Sequence, residues 1–434
     1  MRWHQQIQYA SISDIGFRRS NNQDVCVVRI STDEEAWKQR GHLFLVADGM
    51  GGHAVGELAS KIAGDTIPHS FFKNKTDETT AALKCAIEEA NDAIHDRGIQ
   101  NREFLRMGTT CSTIVLAPEG AVIGHVGDSR VYRVRGDRID QLTCDHSLQW
   151  ELMRQGRLKP EDAMLREPRH VITRSLGPEE RVQVDIEGPY AVLPGDTYVL
   201  CSDGLNGHVN DPEIAVIAKT LPPGDACRLL VHLANLRGGA DNITVVIARV
   251  GDVPHGAPST PDAPKAPPVE GGLSWAALAK VWGVGLLSVF GVSLVLFGKT
   301  PQGALFLAIA ATLAAWLSVS AYRRRRRLRD AAGADGADTV LWRAYRSAAV
   351  RCDRRFLASI AAMEAGLQKS ANDEGWSIDW DAHASAYTSA KQSLAQRDLE
   401  AALSAYASAI DVLMEGVHAQ RRQMNRELKW GKGS

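Results

Sequence analysis

The sequence predicts an α+β fold at the N-terminal end, then two membrane-spanning helices and an all-α tail. Three observations predict it. From about residue 7 to 250, apolar β-rich runs alternate with Gly/Asp turns and are interrupted by two helical stretches. Two long uncharged stretches follow a proline-rich segment. From about 338 to 428 the chain is Ala-rich, with apolar side chains spaced by threes and fours.

Composition narrows the classes. The 434 residues allow two or three domains. With 44% hydrophobic and 23% charged residues, neither a wholly disordered chain nor a small disulfide-dependent scaffold fits. Lys plus Arg total 50 against 51 Asp plus Glu, so no global charge draws the chain to nucleic acid. Seven cysteines lie scattered without a Cys-x-x-Cys pair, which reads as reduced thiols and not as a disulfide framework or zinc site. The N-terminus, MRWHQQIQYA, has no apolar core of a secretory signal.

In chain order, the runs LFLVA (43–47), AVIGHV (121–126), TYVLC (197–201) and ITVVIARV (243–250) suit strands buried in a sandwich core. Residues 252–272 hold six prolines and few apolar side chains, so 253–272 is expected to be an extended linker. Residues 281–298 and 303–322 carry no charge until GKTPQG between them, and each approaches the roughly 20 residues a membrane crossing needs. They predict a transmembrane helical hairpin within 273–322. The cluster RRRRRLR (323–329) then places both ends on the cytoplasmic side, as a multi-pass protein of the inner (cytoplasmic) membrane. In the tail, within 323–434, Leu341, Tyr345, Ala348, Cys352, Phe356, Ile360, Met363 and Leu367 would stripe one helix. Leu399, Leu403, Tyr406, Ile410, Leu413 and Val417 would stripe another, N-capped by Asp398, with Asp379–Gln396 between them as a third. A small helical bundle or a self-associating coil follows from that pattern.

Chemistry is concentrated in aspartates at the ends of the apolar runs. Asp24 opens VCVVRI, Asp48-Gly49 ends LFLVA, Gly127-Asp128 ends AVIGHV, Ser202-Asp203-Gly204 ends TYVLC, and Asp241-Asn242 precedes ITVVIARV. Any one of these reads equally as an ordinary turn. Five carboxylates at one sheet edge would repel unless a cation neutralised them. Oxygen donors without His or Cys suit hard ions, Mg2+ or Mn2+.

The runs GFRRSNNQD (16–24), VADGMGGHAVGELAS (46–60), MGTTCSTIV (107–115), HVGDSRVYRV (125–134), LTCDHSLQWELMRQG (142–156), ITRSLG (172–177), CSDGL (201–205) and GGADNITVVIAR (238–249) stand in order. Together they resemble the PPM family, the metal-dependent type 2C serine/threonine phosphatases, in its bacterial form. The resemblance covers about 1–252. It implies a four-layer α-β-β-α sandwich, two antiparallel sheets flanked by helices, with Ala54–Phe72 and Glu78–Gly98 in one helical layer. It implies that Asp48 bridges two metals and that the Gly49 carbonyl binds one of them. Asp203 and Asp241 would bind the second, and Asp24 would support the first. Asp128 would help hold a third, looser ion, and Arg19 would bind the substrate phosphate. Asp48, Asp203, Asp241 and Arg19 are thus the implied catalytic set.

The implied reaction is hydrolysis of phosphoserine and phosphothreonine by direct attack of a metal-bridging hydroxide, available near neutral pH between two ions. Its partners would be phosphorylated proteins, an opposing Ser/Thr kinase, the membrane, and a protein or second copy bound by the tail, with no nucleic acid. Two departures stand out, Met50 and Gln23, the latter where many members have Glu. Met50 follows the Asp-Gly where many relatives have histidine, which leaves the general acid open, and His53 is either a candidate or a loop histidine. Residues 145–178 resemble a flap over the site, with Arg166, Arg169 and Arg174 facing either substrate or solvent. The competing readings are a catalytically inactive, phosphatase-fold adaptor and an enzyme regulated by its tail.

Overall fold

The computed structural model describes residues 7–74, 76, 78–104, 106–155, 171–251, 290, 292–302, 304–309, 311–312 and 345–430. Twelve strands and ten α-helices are described, and the strands form two sheets of antiparallel pairs. The first sheet runs in the order β1 (Ile7–Asp14), β11 (Ile243–Val250), β10 (Thr197–Cys201), β7 (Arg130–Arg135), β8 (Arg138–Gln141), β12 (Arg346–Ala349). The second runs β2 (Asp24–Arg29), β3 (His42–Met50), β5 (Cys111–Ala117), β6 (Gly120–Val126), β9 (Asp185–Tyr190), with the short β4 (Gly108–Thr109) on the end of β3.

The central strands are buried on both faces, which explains their continuous apolar runs. Successive side chains point to opposite faces. In β3, Leu43, Leu45 and Ala47 therefore face one helical layer, and Phe44 and Val46 face the other sheet. The layer on the second sheet is α2 (His53–Lys73) and α3 (Thr79–Gln100), which bury Ile67, Phe71, Leu83, Ile87 and Ile94 completely. Each such side chain contributes roughly 1.5–3 kcal/mol of burial free energy. On the first sheet lie α6 (Asp211–Thr220) and α7 (Pro223–Leu236). A capping box starts α6: Asn210 accepts from the Glu213 amide, and Glu213 accepts in return from the Asn210 amide. The short α1 (Glu34–Arg40) is N-capped by Asp33.

The tail departs from the all-α expectation. Residues 346–349 form β12, which pairs with β8 and covers the edge of the first sheet. Tyr345 and Ala348 therefore belong to no helical stripe. The edge of β8 offers free backbone groups, and pairing there outweighs the helical preference of a short Ala-containing segment. The tail helices are α8 (Arg354–Glu374), α9 (Trp380–Ala395) and α10 (Leu399–Trp430). Asp353, Asp379 and Asp398 cap them through the amides of Phe356, Ala382 and Ala401. Leu403, Ile410, Leu413 and Met414 of α10 join one apolar cluster with Leu229, Leu230 and Leu233 of α7.

By internal contacts the chain divides into two units, Met1–Ala257 with Ala344–Ser434, and Pro258–Arg343. In the second unit, helical pieces at 292–296 and 304–309 are described, and the rings of Phe290 and Phe306 meet edge to face at 5.2 Å. Here the expected transmembrane hairpin is corrected. Among the described residues no helix is long and apolar enough to cross a membrane. Hydropathy counts apolar residues, but a crossing needs about 20 of them in one continuous helix. The inner-membrane, multi-pass localisation rested on that hairpin and is corrected with it. Residues 281–289 and 313–322, the linker, RRRRRLR and flap residues 156–170 lie outside the described residues.

Candidate metal centre

The five aspartates meet at one end of the sandwich. Asp24 opens β2 directly opposite Asp48 near the end of β3. Asp203 is the first residue of the short helix α5 (Asp203–Asn206), which follows β10. Asp128 follows Gly127 in the β6–β7 turn, and Asp241 lies just before β11. Asp48 is the focus. Its pKa is pushed well above the usual carboxylate range by burial, then by the charges of Asp24, Asp203, Asp128 and Asp241. Burial also pushes Asp24 up to about 7, opposed by hydrogen bonds from Thr244 and Ser202 and reinforced by Asp203 and Asp241. Asp128 is pushed up to about 8 by burial, with Asp203 and Asp145 adding to it and Arg130 opposing.

This end of the fold is built to hold the carboxylates in place. The Asp48 amide donates to Thr110 Oγ1 at 2.9 Å, and its carbonyl accepts from the Thr110 amide at 2.8 Å and Thr109 Oγ1 at 2.9 Å. Ser202 Oγ donates to Asp24 Oδ2 at 2.8 Å. Arg130 holds Asp145 through Nε and Nη2, at 2.9 and 2.7 Å, beneath Asp128. Gly49 admits no side chain: a Cβ there would stand 2.1 Å from the Gly56 carbonyl oxygen.

The donor set fits a hard divalent cation. Asp24 Oδ1 and Asp128 Oδ1 are buried without a hydrogen-bond partner, an arrangement costly for neutral or charged oxygen alike. Among the described residues no three His, Cys, Asp or Glu side chains already close around one point. Oxygen-only donors select Mg2+ or Mn2+ over zinc.

Arg19, the expected phosphate ligand, donates through Nη2 to Asp241 Oδ2 at 2.7 Å, with both side chains partly exposed. Beside the centre, Asp128 and Asp203 line a cleft of about 510 Å³ bounded by Trp150 and Met153 of α4 (Leu148–Arg154) and by Arg346 of β12. Arg174, at the flap base, is tied to Asp185 at 2.7 Å and to His146 at 3.1 Å.

Sequence reasoning missed the supporting shell. Asn242 accepts from the Gln23 amide at 2.8 Å and donates to the carbonyls of Ile15 and Asn21, each at 3.0 Å. It stitches the Arg19 loop to the Asp241 turn. Its place beside Asp241 was the available signal. Ser202 carried a similar signal as the neighbour of Asp203. Nothing local in the sequence marks the Arg130–Asp145 pair.

Comparisons with known proteins identify the family. The protein phosphatase 2C family matches residues 18–235. The chain is 32% identical over 250 residues to the protein phosphatase PhpP of Streptococcus pneumoniae, covering 57% of this chain and 98% of that one. It is 36% identical over 218 residues to the serine/threonine phosphatase stp of Listeria innocua, covering 48% and 85%. It also resembles the crystal structure of the Mycobacterium tuberculosis serine/threonine phosphatase PstP/Ppp, with a TM-score of 0.51, 32% identity and coverage of 57% and 99%. The chain therefore belongs to the protein phosphatase 2C family, the metal-dependent serine/threonine protein phosphatases that use Mn2+ or Mg2+ and act on phosphoproteins.

Proposed function

We propose that this phosphatase hydrolyses phosphoserine and phosphothreonine by direct attack of water on phosphorus at the Asp48 cluster, and so opposes a Ser/Thr kinase. The observation that carries this reading is the gathering of Asp24, Asp48, Asp128, Asp203 and Asp241 at one end of the sandwich, with Asp24 paired opposite Asp48 and with Asp128 and Asp203 lining one cleft. When bound, the divalent ions supply a nucleophile near neutral pH and neutralise phosphate charge. Asp48, Asp24, Asp203 and Asp241 would hold them through carboxylate oxygens, Gly49 through its carbonyl, and Asp128 would hold a further ion. Arg19 is poised beside Asp241, and its planar fork matches two phosphate oxygens where a lysine would offer one point charge. Burial pushes both Cys111 and Cys201 up to about 12, so neither of these two is a thiolate at neutral pH.

The test is hydrolysis of a phosphothreonine peptide by the full chain with Mn2+, with Mg2+ and with excess chelator, beside Asp203→Asn. Metal-dependent turnover that is lost in the variant is the expected result. A folded protein inert under every metal would overturn the reading and leave the adaptor alternative. The tail-regulated form is favoured by a specific observation, the bonding of α10 to the Arg19 loop.

A further inference from the structure

The loop joining β1 to β2 carries Arg19, and it is gripped from two sides. On the inner side, the amides of Phe17 and Arg18 both donate to the Gly239 carbonyl, at 2.8 and 3.0 Å, in the turn that leads to Asp241. Gly16 sits at φ +77°, and a Cβ there would stand 2.1 Å from the Asp241 carbonyl oxygen, so the loop lies against the Asp241 turn too closely for any residue but glycine. On the outer side stands α10 of the tail. Arg421 Nη1 donates to the Gly16 carbonyl at 3.0 Å and Nη2 to the Phe17 carbonyl at 2.7 Å. The same guanidinium lies 4.4 Å from the centre of the Phe17 ring, whose other neighbour is His418, one turn earlier on α10.

We propose that Arg421 is a positioning residue for substrate phosphate, holding the Gly16–Phe17 backbone so that Arg19 is presented to the phosphate beside the carboxylate cluster. The proposal rests on the reading of Arg19 as the phosphate ligand. Two donors on two successive carbonyls fix the orientation of both peptide planes, which one donor cannot do. Arg19 begins two residues on, so tilt in those planes becomes displacement of its guanidinium. The outer anchor is itself held: Asp411 of α10 forms an ion pair with Arg228 Nε at 3.1 Å and pairs with His232 Nε2 at 2.8 Å, both on α7. The tail thereby enters the substrate site without touching substrate.

An interaction that holds phosphate equally in the ground and transition states appears in KM and not in kcat. The experiment uses the full chain with Mn2+, a phosphothreonine peptide as substrate and inorganic phosphate as inhibitor. It compares wild type, Arg421→Gln, Arg421→Lys, Arg19→Ala and the Arg19→Ala/Arg421→Gln double variant, with a thermal melt of each. Arg421→Gln is expected to raise both KM and the phosphate inhibition constant by about fivefold, with kcat within about twofold. Arg421→Lys keeps the charge over Phe17 but loses the fork, so it should fall between, and it decides the matter if the Gln variant melts early. In the Arg19→Ala background Arg421→Gln should add nothing, because the two act as one unit. Unchanged KM and inhibition constants in a folded Arg421→Lys and Arg421→Gln would overturn the proposal, as would an equal effect in the Arg19→Ala background. If Arg19→Ala itself changes neither constant, the phosphate-ligand reading fails first. If Arg19→Ala changes both and the Arg421 variants change neither, the positioning role alone fails.

Discussion

The two sheets are closed in different ways. Over β2-β3-β5-β6-β9, the apolar cluster is completed by α2 and α3 together with Met107, Leu176 and Val184 from connecting segments, and its described members include no tail residue. Over the other sheet, α6 and α7 form an inner layer whose apolar cluster continues outward into Leu403, Ile410 and Leu413 of α10 and Leu357 and Ile360 of α8. One half of the sandwich is self-sufficient, and the other borrows its outer layer from chain that follows a proline-rich segment. A linker in the sequence marks where the chain leaves a surface, and says nothing of whether it returns to it.

The carboxylate cluster lies at one end of the sandwich, where both sheets contribute aspartates. Asp48→Asn should therefore break function without touching either layer. Activity is expected to fall on the order of a thousandfold in a phosphopeptide assay. With chelator present, the melting temperature should hold or rise, because one of several repelling buried charges has been removed. Mn2+ should stabilise wild type by mass action and stabilise the variant much less. A variant that lost activity and stability together would mean that Asp48 serves packing, and the separation of site from layers would not stand.

The comparison of layers is tested by one truncation in each. Ile87 of α3 and Ile410 of α10 are both fully buried. Each change to Ala should cost about 2–5 kcal/mol from lost burial and the residual cavity. If the tail is the outer layer of the same core, Ile410→Ala lowers the single unfolding transition much as Ile87→Ala does. Two transitions in a calorimetric scan, with Ile410→Ala shifting one and Ile87→Ala the other, would make the tail a separate domain after all.

These elements also mark what was legible in the sequence. The buried strands announced themselves by continuous apolar runs, and α2 and α3 by length and spacing. Asp24, Asp48, Asp128, Asp203 and Asp241 were legible because each sits in a local motif, and the structure brings them to one sandwich end. What was not legible depended on distant partners. Nothing in the run Arg346–Ala349 states that β8 lies open beside it. Arg421 looks like any basic residue near a helix end until Gly16 and Phe17 are found under it, 405 and 404 positions earlier. The hairpin expectation rested on apolar composition alone, and among the described residues no helix is long and apolar enough to cross a membrane.

The smallest predicted effect compares the polar pins of the two halves. Asp185, at the start of β9, is bonded to His146 at 3.0 Å and Arg174 at 2.7 Å. Burial opposes its ionisation, but these partners outweigh burial and hold its pKa at about 2, below the ordinary 3.8. On the tail side, the hydrogen bond from His232, with the charges of His232 and Arg228, likewise lowers Asp411. A carboxylate with a lowered folded pKa binds fewer protons in the native state, so its stabilisation is complete above 3.8 and is lost as pH falls toward 2. For the partly exposed Asp185 this amounts to at most about 2 kcal/mol after solvent screening. Asp185→Asn and Asp411→Asn should therefore each lower stability at neutral pH, and the gap to wild type should close as an acid titration passes below pH 4 or so. Denaturant melts at stepped pH measure it. A gap that stays constant into strong acid would assign the loss to packing or hydrogen bonding of the neutral side chain. A gap for Asp185 alone would mean that the tail layer is held on α7 by its apolar face, with Asp411 setting direction and adding little to the grip.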